Sequence, residues 1–256
     1  MYRSGIIRKT PEQIEEMAAA GRIQARCLKM LAAKVKPGVT TLELDETAER
    51  YIRSQGAEAS FKGYRGYPAS ICASPNSMVV HGIPAPEELQ RGDLLSIDVG
   101  VTYQGWVADA AITVPVGKPS ADAEQLLTTT RDALFAGAAQ ARPGNHLGDI
   151  SSAVQDRVEF DGLHVIRSLV GHGVGRDMHE DPQIPNFGEP GKGPELEEGM
   201  VLAIEPMVNI GTDQIRMGDD GWAVYSKDGS LAAHFEFTVA VTLEGPRVLT
   251  PWHEAV

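Results

Sequence analysis

The stretch "ELEEGMVLAIEP" (195–206) joins a run of strand-forming residues to a carboxylate, Glu205, that is followed at once by proline. A charge at the end of a strand that belongs in the core needs a partner, because burying an unpaired charge is costly. The earlier stretch "ELQRGDLLSIDV" (88–99) has the same frame 107 residues before it and also reaches an acid, Asp98. We therefore predict that Asp98 and Glu205 occupy equivalent positions of a strand pattern used twice.

Two pairs of predicted helices repeat at nearly the same offset. The first pair is divided by "KPG" (36–38) and ends near Gly56, and the second is divided by "RPG" (142–144) and ends near Gly162. The offset between these features is 106 residues. Chance similarity between amphipathic helices is the alternative explanation, and the strand frame at the same offset favours two related halves, about 10–118 and 119–250.

Apolar runs that read as strands lie between and after the helix pairs. They are found at 69–73, 78–80, 94–101, 110–116, 165–170, 201–204 and 238–242. Helices in pairs and strands in blocks favour an antiparallel α+β fold over a parallel sheet with alternating helices. We predict one domain over 1–256, with its first helix capped by Thr10 and Gln13 and its second by Thr40 and Glu43.

Composition narrows the partners and the compartment. The 256 residues carry a net charge of −12, which argues against stable binding to nucleic acid or an anionic membrane. Cys27 and Cys72 are far apart in the chain and form no CxxC spacing, so neither a disulfide framework nor a thiolate zinc site is expected. No apolar run reaches the ~20 residues of a membrane span, and the first residues lack the apolar core of a signal peptide. We expect a cytoplasmic protein.

Four acidic residues fall where the two halves are predicted to meet. Asp109 is expected immediately before an apolar strand and Glu236 inside one, each about a hairpin after the paired acids Asp98 and Glu205. Four buried carboxylates cannot all stay ionised without cations. Either protonation or bound divalent metal resolves the conflict, and bridging carboxylates can hold two ions roughly 3.5 to 4 Å apart.

Three histidines accompany these acids. His172 stands in "GHGVG" (171–175), where the glycines are expected to bring the backbone close to whatever the ring binds, His179 follows in "MHEDP" and His81 stands in "VVHGIP". Taken singly, each acid could be a turn former and each histidine an ordinary core or surface residue. That ordinary reading is kept for His146, His164 and His253. The combination of acids and histidines favours a metal site.

The motifs together resemble the type I methionine aminopeptidases, which are dinuclear metallopeptidases of the pita-bread fold. The resemblance covers about residues 10–250 and is carried by "GYRGYPASICAS" (63–74), "VVHGIP" (79–84), "LSIDVG" (95–100), "GHGVGRDMHEDP" (171–182), "AIEPM" (203–207) and "FEFT" (235–238). It implies two halves related by a pseudo-twofold axis and a central curved antiparallel sheet covered by helices.

The resemblance also implies a ligand set and a chemistry. Asp98, Asp109 and Glu236 would bind one divalent ion, and Asp109, Glu236, His172 and Glu205 the other, with cobalt, manganese, iron or zinc all acceptable. A water or hydroxide between the ions would attack the first peptide bond. The function implied is removal of the initiator methionine from nascent proteins and short peptides whose second residue is small, near the ribosome and by a monomer.

Further roles follow from the same resemblance. His179 would steady the scissile carbonyl, His81 would contact the substrate amide, and Glu205 would carry a proton towards the leaving amine. A slot for the methionine side chain would be lined by Phe61, Tyr64, Tyr67, Cys72, Met178 and Trp222. Without the resemblance, ordinary core packing is the better account of these aromatic residues.

The chain departs from the common pattern of that family at Phe61, Arg65, Val107, Met178, His234 and Phe237. None is expected to touch a metal ligand, but they put in doubt the shape of the slot and the surroundings of Glu236. Two other functions stay open. One is an aminopeptidase or dipeptidase of the same fold acting on Xaa-Pro bonds, and the other is a non-catalytic binding protein that kept only the fold.

Overall fold

The computed structural model describes residues 5–254, and over that range the chain forms four α-helices and fifteen β-strands. The helices are α1 (Pro11–Ala32), α2 (Thr41–Ser54), α3 (Ala121–Ala139) and α4 (Leu147–Phe160). The strands are β1 (Glu58–Ala59), β2 (Cys72–Pro75), β3 (Met78–Val80), β4 (Leu94–Tyr103), β5 (Trp106–Pro115), β6 (His164–Val165), β7 (Val170–Gly173), β8 (Glu180–Pro185), β9 (Val201–Ile204), β10 (Met207–Asn209), β11 (Ile215–Met217), β12 (Val224–Ser226), β13 (Ala232–His234), β14 (Phe237–Thr242) and β15 (Gly245–Val248). The predicted domain 1–256 extends beyond the described residues at both ends.

The first two helices begin where their caps predict. Thr10 Oγ1 accepts a hydrogen bond from the Gln13 N–H at 3.3 Å, and the Gln13 side chain accepts one from the Thr10 N–H at 3.0 Å. Thr40 and Glu43 form the same reciprocal pair at α2. Each box satisfies two N–H groups that a helix start would otherwise leave without partners. None of the helices within residues 5–254 has the length and apolar content that a membrane crossing needs.

The predicted offset appears in the element bounds. α2 and α4 differ by 106 residues at both ends, and β4 and β9 begin 107 residues apart. Gly56 and Gly162 follow the two helices with φ of 69° and 73°, the left-handed conformation that commonly ends a helix. These matching bounds support two related halves, which stay a prediction.

The strands divide among four hydrogen-bonded sheets, and their pairings are antiparallel. One sheet pairs β4 with β1, β2 and β5, and the largest has the order β15-β14-β9-β7-β8. The other two have the orders β13-β10-β6 and β11-β12-β3. The expected antiparallel α+β arrangement is therefore confirmed, with its hydrogen bonding distributed over several sheets.

Strand β5 joins the two predicted halves, because it bonds to the segment that connects β13 to β14. Thr238 Oγ1 donates to the Asp109 carbonyl at 2.7 Å and accepts from the Asp109 N–H at 3.0 Å. The Glu236 N–H donates to the Ala111 carbonyl at 2.9 Å. On the other face, the fully buried Gln24 of α1 donates to carbonyls of both β4 and β5. The acids lie along this seam.

The β4–β5 hairpin corrects two predicted positions. Asp98 lies in the middle of β4 rather than at its end, and Asp109 lies inside β5 rather than before it. The cause is a two-residue turn at Gln104 and Gly105, whose φ values of 51° and 76° allow the strands to pair up to the turn. The turn lengthens both strands beyond their apolar runs.

Other predicted bounds are also wrong. Glu236 lies in the break between β13 and β14 instead of inside a strand. The run 165–170 is a strand only at its two ends, because the chain exposes Arg167 and Ser168 to solvent between them. Helix α1 ends at Ala32, short of "KPG" (36–38), because two turns with hydrogen bonds to the third residue back follow it.

Candidate metal centre

A cavity of about 170 Å³ at the seam collects the predicted site residues. Its lining comprises Phe61, Tyr64, Arg65, Tyr67, Cys72, His81, Asp98, Asp109, His172, His179, Glu205, Trp222 and Glu236. Met178 is the predicted residue missing from this lining. It is buried behind the wall, where it belongs to the same apolar cluster as Phe61.

Neighbouring strands bring the four acids together. Asp98 of β4 pairs with Ala111 of β5, which places it diagonally opposite Asp109 on the same face of the hairpin. Glu236 is held against this hairpin by its N–H bond to the Ala111 carbonyl. Glu205 directly follows β9, the central strand of the five-stranded sheet. Two acids therefore come from each predicted half.

The acids lack partners for their buried oxygens. Among the described residues, Asp98 Oδ1, Asp109 Oδ1 and Glu236 Oε1 have none. Burial, followed by repulsion from the other acids, raises the pKa of Asp98 and Glu236 well above the usual range. Burial also raises the pKa of Asp109 and that of Glu205 to about 7. A divalent cation would relieve both the desolvation and the repulsion, so this donor set fits metal.

One group of side chains already has the spacing of a metal site. Ligand atoms of Asp109, His172 and Glu236 all lie within 4.8 Å of one another. His172 Nδ1 is 2.9 Å from the Gly173 carbonyl, which can only accept, so Nδ1 carries the hydrogen and Nε2 keeps its lone pair. That Nε2 is 3.6 Å from Glu205 Oε1. The ring is therefore oriented to bind a cation beside Glu205.

The glycines around His172 have a different role from the one predicted. A Cβ at Gly171 would lie 2.3 Å from the Ala203 carbonyl oxygen, and one at Gly173 would lie 2.1 Å from the Asp181 carbonyl oxygen. These contacts are with the backbones beside β7. The glycines thus permit close packing of the strands that carry His172 instead of close approach to a ligand.

His179 lies at the solvent-exposed mouth of the cavity. Tyr64 Oη is 2.8 Å from its Nδ1, and the two rings stack with centroids 5.3 Å apart. The His179 ring also contacts that of His172, at a centroid distance of 4.3 Å. Partial burial, together with His172, lowers the pKa of His179 to about 4, which leaves the ring neutral with a single N–H. Tyr64 can donate to Nδ1 and so leave that N–H on Nε2.

His81 and Arg65 stand at the same mouth in unusual backbone conformations. Their φ values are 62° and 49°, in the left-handed region that side chains other than glycine rarely adopt. Such residues are common at functional sites, where the surrounding fold enforces them. Burial and the nearby His234 lower the pKa of His81 to about 4, so that ring is neutral as well.

Aromatic side chains form the apolar wall. Tyr67 meets Phe61 edge to face at a centroid distance of 6.5 Å and Trp222 at 5.1 Å. A Cβ at Gly100 would lie 2.8 Å from the Phe61 ring and 3.0 Å from Met178, so glycine at that position of β4 makes room for the wall. The result is an apolar compartment beside the acids, suited to an unbranched side chain.

Three contacts of this site were not predicted. His234 Nε2 lies 3.4 Å from Glu205 Oε2, so the expectation that no departure from the family pattern touches a ligand is wrong at this residue. His234 stands two positions before Glu236, and that spacing in an extended chain could have pointed to it. The contact of Tyr64 with His179 and the buried pair of Lys9 with Glu180 carry no signal in the sequence.

Comparisons with known proteins agree with this chemistry. Residues 15–243 match the model of metallopeptidase family M24. The chain is 50% identical over 245 residues to a methionine aminopeptidase of Clostridium perfringens, covering 96% of this chain and 98% of that protein. It is also 50% identical over 245 residues to methionine aminopeptidase 1 of Bacillus subtilis, covering 96% and 99%.

Solved structures give the same order of similarity. A methionine aminopeptidase crystal structure from Thermotoga maritima has a TM-score of 0.94 and 43% identity, covering 96% of this chain and 99% of that one. A prolidase from Pyrococcus furiosus has a TM-score of 0.76 and 25% identity, and the match covers 95% of this chain but 65% of the prolidase. The expected pita-bread fold is confirmed by this agreement.

Proposed function

The chain belongs to metallopeptidase family M24, and on that premise we propose that the seam cavity is the two-metal active site of a type I methionine aminopeptidase. The chain is a metallo-aminopeptidase that removes N-terminal methionine, the activity of relatives half identical to it along nearly its whole length. The observation that carries the location of the site is the grouping of Asp109, His172 and Glu236 among buried acids.

The proposed ligands are the five side chains named from the sequence. Asp98 would bind one ion and His172 with Glu205 the other, while Asp109 and Glu236 would bridge both. When bound, such ions supply a water nucleophile of lowered pKa and polarise the scissile carbonyl. The mixture of carboxylate oxygens with one imidazole nitrogen suits manganese, iron, cobalt or zinc.

The remaining side chains position the peptide and move its protons. His179, as the Nε2–H tautomer, would donate to the scissile carbonyl, and His81 would contact the substrate amide at the other side of the mouth. Glu205, whose pKa burial raises to about 7, would carry a proton to the leaving amine. The methionine side chain would enter the wall formed by Phe61, Tyr64, Tyr67, Cys72 and Trp222, with Met178 supporting it from behind.

The proposed substrates are nascent protein N-termini and short peptides with a small second residue. The acidic cavity favours the free α-amine that such substrates present, since the carboxyl groups outnumber nearby cations. Transient proximity to the ribosome, a cytoplasmic location and a monomeric state belong to the same proposal. Stable binding to nucleic acid or membrane has no place in it.

Cleavage of Xaa-Pro bonds is the second candidate, because prolidases share the fold. The fuller match to methionine aminopeptidases makes it less well supported, and a non-catalytic protein would be expected to lack some of the five ligand side chains. Purified protein supplied with Mn²⁺ or Co²⁺ should hydrolyse Met-Ala-Ser and leave an Ala-Pro peptide largely intact. Faster cleavage of the Ala-Pro peptide would reject the proposed specificity.

A further inference from the structure

The carboxylate of Glu205 lies between two imidazole rings. His172 Nε2 is 3.6 Å from its Oε1, and His234 Nε2 is 3.4 Å from its Oε2. His172 is one of the proposed metal ligands, whereas His234 has no place in that set. One oxygen of Glu205 therefore faces the ligand ring and the other faces a second ring without an assigned role.

Two strands fix the backbone that carries the His234 ring. His234 is the last residue of β13 and pairs with Met207 of β10. Its N–H donates to Thr113 Oγ1 at 2.8 Å, and its carbonyl accepts from the same hydroxyl at 2.9 Å. The residue is 2% exposed. The ring is thus supported independently of Glu205.

The ring presents a single buried donor. Burial lowers the pKa of His234 to about 4 despite the opposing effect of Asp109, so the ring is neutral and has one N–H. Within the described residues, Nε2 has no hydrogen-bond partner. A separation of 3.4 Å from Glu205 Oε2 is at the long end of hydrogen-bond distances. A modest side-chain adjustment would complete the bond and satisfy the nitrogen.

We propose that His234 is a positioning residue for Glu205: its Nε2–H donates to Oε2 and leaves Oε1 to the ion that His172 binds. This inference rests on the proposed ligand set. Groups that hydrogen-bond to the far side of a metal ligand fix its orientation and raise metal affinity. The family that the sequence resembles commonly has glutamine at this position, and the glutamine amide is also a neutral N–H donor. Glutamine should therefore replace His234, and an apolar side chain should not.

The test compares His234→Gln, His234→Leu and Glu205→Gln in the full chain. Calorimetric titration of each metal-free protein with Co²⁺ gives its dissociation constant, and thermal melting of the same samples gives its stability. His234→Leu should weaken Co²⁺ binding about 10-fold to 100-fold, and His234→Gln should stay within about 3-fold of the parent. Metal-free His234→Leu should melt no lower than the parent, because the change removes a buried donor without a partner.

Two results would overturn the positioning role. One is Co²⁺ binding by His234→Leu that equals the parent while Glu205→Gln binds weakly, which leaves the proposed ligand set intact. The other is an equal loss in His234→Gln and His234→Leu, or a fall in the metal-free melting temperature that matches the loss of affinity. Undiminished Co²⁺ binding by Glu205→Gln would instead reject Glu205 as a ligand and with it the premise of this inference.

Discussion

Tyr64 is expected to act on catalysis through His179 more than through substrate binding. Its hydroxyl is 2.8 Å from His179 Nδ1 and sets which ring nitrogen carries the hydrogen. Tyr64→Phe should lower kcat on Met-Ala-Ser roughly tenfold, the low end of the losses seen when an orienting partner is removed, with a smaller change in KM. The ¹⁵N chemical shifts of the ring should show Nδ1–H replacing part of the Nε2–H population.

Tyr103→Phe provides the matched control, because Tyr103 packs against the main apolar core away from the cavity. It should leave both kcat and the His179 shifts unchanged. If Tyr64→Phe changed KM alone and left the ring shifts as they were, Tyr64 would be only a wall of the methionine slot.

The raised carboxyl pKa values predict how the metal-free protein responds to pH. Burial raises the pKa of Asp109 and Glu205 to about 7 and that of Asp98 and Glu236 further, whereas unfolded carboxyls titrate near 4. The folded form then holds more protons than the unfolded form, so stability falls as pH rises. The slope is about 1.4 kcal/mol per pH unit for each carboxyl still protonated in the fold. Histidines with lowered pKa, such as His234, oppose this trend only below about pH 6.5.

Urea unfolding in the presence of a chelator, between about pH 6.5 and 8, measures the effect. Saturating Mn²⁺ should remove most of the pH dependence, because the bound ion keeps the carboxylates ionised. A metal-free stability that stays level or rises over this range would contradict the burial of these acids as a group.

At the scale of single residues, the sequence predicted the identities of the ligands better than their surroundings. Asp98 and Glu205 could be paired from a repeat, and the motif resemblance supplied His172. The partners of His179 and Glu205 could not be predicted, because they depend on where loops and strands far apart in sequence meet. Tyr64 reaches His179 across 115 positions of the chain.

At the scale of elements, one buried ion pair ties the segment before α1 to the start of β8. Lys9 Nζ is 2.6 Å from Glu180 Oε2, with side chains 2% and 5% exposed. The other carboxylate oxygen accepts from the Arg176 N–H at 2.9 Å. Lys9→Met would leave that carboxylate buried and unpaired, and should lower the free energy of unfolding by about 3 to 5 kcal/mol. Activity should fall too, because His179 adjoins Glu180.

Arg247→Met is the control for this variant in urea unfolding. Arg247 pairs with Glu15 on the surface, where both side chains are more than 40% exposed, and its loss should cost less than about 1 kcal/mol. Equal, small costs for the two variants would show that the Lys9 pair does not support the loop that carries His179.

Helix starts could be predicted from local chemistry, whereas strand bounds could not. The Thr10 and Thr40 caps involve residues three positions apart, so a short stretch of sequence contains all of their partners. β4 and β5 extend through the turn at Gln104 and Gly105 because they pair with each other. Strand length is thus decided by pairing across the hairpin, which apolar runs register only in part.

At the scale of the whole molecule, the repeat predicted the order of elements and the meeting of the acids at a seam. It did not predict four sheets, because several pairings cross between the predicted halves. β3 pairs with β12, which begins about 140 residues later in the chain. Such contacts depend on the assembled fold and leave no local trace in the sequence.

The central claim is that the seam acids and His172 hold two divalent ions that the enzyme needs for cleavage of the first peptide bond. Calorimetric titration of metal-free protein with Co²⁺, with Met-Ala-Ser hydrolysis followed in the same samples, tests it most directly. We predict two bound ions per chain, hydrolysis that rises as they bind, and loss of both properties in Asp109→Asn. Full hydrolysis by protein without bound metal, or binding unchanged by Asp109→Asn, would contradict the account.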